Sequence, residues 1–65
     1  MIHRWDALHA CNEAASAMRR LRAALDALAA ADPDVATEAR QHAQEASGAA
    51  GVIDEWREQI RKMVV

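Results

Sequence analysis

VATEARQHAQEASGAAGVIDEWREQIRKM, residues 35–63, decides how this chain folds. Stepping alternately by four and three from Val35 reaches Ala39, His42, Ala46, Ala49, Ile53, Trp56, Ile60 and Met63. Every one of these residues except His42 is apolar. Alternate steps of four and three make a 3.5-residue repeat, the signature of a helix that lays a narrow seam against another helix.

The partner for that seam lies upstream. From His3 to Ala31 the chain contains neither Gly nor Pro. Here too a seam steps by four and three: Ala7, Cys11, Ala14, Met18, Leu21, Leu25 and Leu28. Between the segments stands Asp32-Pro33-Asp34. It places a capping acid before a proline at the first helical position and another acid in the first turn. The sequence therefore predicts a helix over about 3–31, a turn at 32–34 and a helix over about 34–63. A connection this short folds the two helices back antiparallel. The expected fold is an all-α two-helix hairpin, coiled-coil-like, forming a single domain over 1–65. Ser47-Gly48-Ala49-Ala50-Gly51 is the weak stretch of the second helix, since each Gly costs about 1 kcal/mol against Ala. The seam keeps its phase through it, which favours a continuous helix over a break. In an antiparallel register Leu28 comes near Ala39, Leu25 near His42 and Ala14 near Ile53, so large faces small.

Composition sets the next expectation. The chain has 65 residues and is 52% hydrophobic, yet 17 of those positions are Ala and only 16 are Leu, Ile, Val, Met or Trp. Alanine supplies helix propensity rather than core volume. A domain this small buries about 60% of its unfolded surface and usually needs a disulfide, a metal or another chain. One Cys makes no internal disulfide. No basic start leads into an apolar run, and the longest stretch without an ionisable group, Ala46–Ile53, is far short of the ~20 residues that span a bilayer. These features predict a protein of the bacterial cytoplasm, not a membrane protein, that completes a helical bundle with another chain.

Ala46–Ile53 and, beside it, Ala14–Met18 give the hairpin an uncharged waist. A helix without charge around its circumference is usually buried around its circumference. Ser47, Gly48 and Gly51, with Val52, are expected to form a smooth face turned away from the seam and suited to a partner helix. Trp5 with Ile2 and Leu8 forms a second apolar patch off the seam; it either contacts a partner or folds over the open end near Ile60 and Val64. Arg19, Arg20 and Arg22 form the one basic cluster, on a first helix of formal charge +1 that also carries Arg4. The net charge is −2, which argues against a general polyanion binder. The cluster is read as a solvated face or as the contact for an acidic partner or a nucleic acid.

Chemistry-bearing sets are sparse. Glu38, His42 and Glu45 fall along one side of the second helix, but the spacing is not the Glu-x-x-His of di-iron bundles. His42 is expected to point into the seam. His9 and Cys11 point to different sides of one helix, so they make no nucleophilic pair. The expectation is a non-enzymatic protein with no cofactor, no metal and no small-molecule substrate.

Two families share this layout. In length, hairpin form and the run Gln41-His42-Ala43-Gln44-Glu45, the chain resembles the Rop plasmid copy-number regulators. That resemblance implies a dimeric four-helix bundle that binds RNA through its first helices, where the arginines also lie here. From Leu21 to Trp56, with a Leu-rich helix end, a Pro-marked turn and Ala/Gly-rich spacing leading to Val52-Ile53, it is similar to the hairpin co-chaperones of type III secretion needle subunits. That similarity implies a protein that holds an aggregation-prone subunit jointly with a larger chaperone. The first expectation from the residues themselves is an adaptor, inhibitor or co-chaperone that binds a protein partner or itself.

Overall fold

The computed structural model describes residues 4–64, which form α1 (Arg4–Ala31) and α2 (Ala36–Val64). The helices pack side by side along their lengths in an antiparallel hairpin 49 Å long and 15 Å across. α2 runs unbroken through Gly48 and Gly51. Ala49 and Ala50 stand between the glycines and the helix is already long on either side, so propagation carries the ladder across them.

The connection is built by Asp32 and Pro33. The Asp32 amide donates to the Leu28 carbonyl at 2.9 Å and closes α1. Pro33 then disfavours a helical Asp32. The Asp32 carboxylate accepts the Asp34 amide at 3.0 Å, an N-cap bond to the second residue beyond it. The next two bonds are of the i→i+3 kind, Val35 to Asp32 at 3.3 Å and Ala36 to Pro33 at 3.4 Å. This tight turn displaces the start of α2 from the expected Asp34 to Ala36. Asp32→Ala is expected to cost about 0.5–2 kcal/mol, the usual value of a lost cap, read as a lower midpoint in urea unfolding.

The buried seam is not the line read from the sequence. Part of that line is kept: Ala7, Cys11, Met18, Leu25, Val35, Ala49, Ile53 and Ile60 are half-buried, and Ala39 and Ala46 are buried. At alternate steps the deepest burial moves on by one residue. Leu8, Ala15 and Ala29 take the places expected of Ala7, Ala14 and Leu28, and Ala36, Ala43 and Ala50 take those of Val35, His42 and Ala49. One residue on every second step turns each helix by about 50°, half of its 100° per residue. His42, expected in the seam, is exposed, as are Leu21, Leu28 and Trp56. The reason is size. Ala36, Ala39, Ala43, Ala46 and Ala50 form a continuous line of methyl groups, and Ala15 and Ala29 meet it from α1. Backbones approach most closely where side chains are smallest, toward the short end of the usual interaxial range of about 8–10 Å. Wider residues are displaced to the flanks. The expected alternation of large and small layers is therefore replaced, among the described residues, by a core in which Leu8 is the one large buried side chain.

Candidate functional site: an apolar face along the hairpin

Rotating both helices in this way sorts the two sides of the hairpin by chemistry. On one side, polar residues lie across the seam from each other. Arg57 donates to the Asn12 side-chain carbonyl at 3.0 Å, Arg22 donates to the Ser47 hydroxyl at 3.0 Å, and Arg19 pairs with Asp54. Arg22 also lies 3.7 Å from Asp26. These exposed pairs contribute little stability each, but they commit this side of the hairpin to itself. Arg22 and Arg19 reach across either end of the uncharged waist, so on this side the waist is bridged by their guanidinium groups. Near the open end, Trp5, Leu8, His9, Asn12, Arg57 and Arg61 line a shallow groove on the same side.

The opposite side is apolar. Met18, Leu21 and Leu25 from α1 and His42, Glu45, Ala46 and Ala49 from α2 line one open groove. Leu25 and His42, expected to face each other in the seam, thus stay at the same height, but Leu25 remains half-buried at its edge while His42 opens outward. On α1 the flank of this groove steps by three and four through Ala7, Ala10, Ala14, Ala17, Leu21, Ala24, Leu28 and Ala31. Every residue in that stripe is Ala or Leu. The matching flank of α2 is Val35, Glu38, His42, Glu45, Ala49, Val52, Trp56, Gln59 and Met63. Among the described residues, six large apolar side chains stand well exposed: Trp5, Leu21, Leu28, Val52, Trp56 and Met63. Helical phase puts five of them on this one face, and only Trp5 elsewhere. Leu21 is 45% exposed, Leu28 46% and Trp56 54%. The apolar stripe is continuous on α1 and interrupted on α2 by Glu38, His42, Glu45 and Gln59; exposed large apolar side chains gathered on one side of a small protein mark an interaction surface.

The residues singled out from the sequence fall in different places. Val52 lies at the edge of the apolar face. Leu8 lines the same groove as exposed Trp5 but is itself buried in the intramolecular seam, because the turn of α1 carries it inward. Ile2, the third member of that patch, lies outside the described residues. Ser47 is half-buried and is held by Arg22, so it belongs to the polar side. Gly48 and Gly51 do face away from the seam, and a methyl group added to either meets no atom within 4 Å. They sit on the outer back of α2, apart from the leucine face. Gly48→Ala and Gly51→Ala are each expected to raise stability by up to about 1 kcal/mol and leave association unchanged. Chemical unfolding together with solution mass measures both.

Arg19, Arg20 and Arg22 do not share a face. Arg19 and Arg22 bond across to α2, while Arg20 donates to Ser16 at 2.8 Å on the outside of α1. His42 Nδ1 lies 2.9 Å from a Glu45 carboxylate oxygen, both groups well exposed. No three potential metal ligands gather among the described residues. His9 lies 4.0 Å from Glu13, while Cys11 is half-buried in the seam. Among the described residues, no helix is long and apolar enough to cross a membrane.

Two signals for this arrangement stand in the sequence. Polar residues recur every seven positions on one side of each seam, at Asn12, Arg19 and Asp26 and at Arg40, Ser47, Asp54 and Arg61. The apolar arc of α1 is also wider than one seam needs, since the Ala/Leu stripe runs beside it. No protein family, curated protein or solved structure matches the chain.

Proposed function

We propose that this protein is a non-enzymatic helix-docking module of the bacterial cytoplasm, an adaptor, inhibitor or co-chaperone that binds protein through the Leu21–Leu28–Trp56 face and is stable mainly in complex. One observation carries the reading: the hairpin closes mainly on alanines and leaves Leu21, Leu28, Val52 and Trp56 outside, together, on a single face. A chain that needed only to fold alone would gain more by burying them, at about 1.5–3 kcal/mol per large side chain. An RNA-binding role of the Rop kind is supported less, because the three clustered arginines diverge around α1 and two of them are engaged with α2.

Trp56 reports on the face directly. In a Trp5→Phe variant it is the sole tryptophan. Its emission is expected to be that of a water-shielded indole in the assembled protein and to shift to longer wavelength when Leu21→Arg is added. A solvent-type emission that Leu21→Arg leaves unchanged, at concentrations where the protein is associated, would contradict this use of the face.

A further inference from the structure

We infer that the occupant of the apolar face is a second copy of this chain, packed face to face with its turn at the opposite end. The inference rests on the docking reading above and names the partner. The carrying observation is the uneven distribution of size along the α1 flank. Its turn half holds Leu21 and Leu28, with half-buried Leu25 at the inner edge of the groove, and its open half holds Ala7, Ala10 and Ala14. Laid against a reversed copy of itself about the point between Ala17 and Met18, the flank sets its large side chains on small ones. Leu28 meets Ala7 and Leu21 meets Ala14, each pairing occurring twice, and Leu25 comes level with Ala10. Large against small across facing helices is how close-packed layers interdigitate.

The same two-fold axis crosses α2 at Ala49, which lines the groove together with Met18. A small residue at the axis lets α2 approach its own copy. Going outward from Ala49, Glu45 meets Val52 at the rim, His42 meets Trp56, Glu38 meets Gln59 and Val35 meets Met63. Charge supports the reversed arrangement over one with both turns at the same end. With turns together, α1 would face α2 of the second copy, and Leu21 and Leu28 would lie on Glu45 and Glu38. Those carboxylates would lose water without gaining a donor. Reversed, the α1 flank of Ala and Leu meets only itself, and Glu38 gains the Gln59 amide. The area is also sufficient. A face 49 Å long and 15 Å wide offers on the order of 700 Å² per copy, close to the ~800 Å² per partner of a stable interface.

The test is a cross-link at the axis. In a Cys11→Ala background, Ala49→Cys places two thiols across the dyad, within reach of a disulfide. Gly48→Cys, on the outer back of α2, is the control. The expected result is a dimeric mass for the reduced protein and, on mild oxidation, a covalent dimer from Ala49→Cys at least ten times faster than from Gly48→Cys. A folded monomer up to about millimolar concentration, with no preference for Ala49→Cys, overturns the second copy as occupant and leaves the face to a different protein. A dimer that cross-links through Gly48→Cys in preference to Ala49→Cys overturns both the inference and the docking reading. Loss of helical circular dichroism in Ala49→Cys is guarded against by Ala17→Cys, which lies beside the axis on the charge-free flank of α1 and is expected to give the same result.

Discussion

Leu21→Arg is expected to dissociate the protein. The side chain lies near the middle of the apolar face, 45% exposed in the single hairpin, and the proposed assembly covers it with a second copy. An arginine there brings an uncompensated charge into a desolvated contact, because the facing flank is Ala and Leu throughout. Such a lesion costs about 4 kcal/mol, roughly a thousandfold in Kd. Gln44→Arg adds the same charge on the outer side of α2, where Gln44 is exposed, and is expected to change stability by less than about 0.5 kcal/mol. Sedimentation equilibrium separates the two. Equal dissociation constants for both variants would mean that the leucine face is ordinary surface.

Ala43→Leu acts on the other contact, the one inside the hairpin. Ala43 is 2% exposed at the centre of the methyl line where α2 meets α1. Three added carbons have nowhere to go, because the backbones approach only as closely as methyl groups allow. The helices must separate or rotate, at a cost of about 3 kcal/mol, the upper end of ordinary overpacking. In a protein with so thin a core, this is enough to leave much of the chain unfolded at room temperature. Ala30→Leu, at an exposed position of α1, serves as the control and is expected to be nearly neutral. If Ala43→Leu were tolerated as well as Ala30→Leu, the alanine seam would not be the line of closest approach.

How the fold was legible, and where it was not, follows from these two faces. Pro33 and the unbroken apolar periodicity on either side of it require two long antiparallel helices, and the structure has them. The heptad pattern also places Cys11, Met18, Leu25, Ala39, Ala46 and Ile53 at the seam, and they lie there. Periodicity does not resolve the alternate steps of the line, because Ala14 and Ala15, or Ala49 and Ala50, are equally apolar neighbours. When adjacent positions are both alanine, hydrophobicity is silent on which one points inward. Closeness of backbone approach decides it, and this is a property of two helices together rather than of either pattern. His42 and Trp56 move outward for the same reason, since the neighbours Ala43 and Arg57 lie closer to the axis of contact. The exposed apolar face is not legible in the sequence, because Leu21 and Leu28 fit the heptad seam of the hairpin as well as they fit its flank. The charge-free glycine stretch reads more readily as a contact surface, although both glycines lie on the back of α2 with open space around them.

The central claim is that this hairpin is completed by association through the leucine face. The concentration dependence of its thermal unfolding, followed by circular dichroism at 222 nm, tests that most directly. For a folded dimer unfolding to separate chains, a hundredfold rise in concentration is expected to lift the midpoint by about 10 °C, through mass action on an unfolding enthalpy of ordinary size per residue. A midpoint that stays constant over the same range, with a monomeric mass throughout, would contradict it.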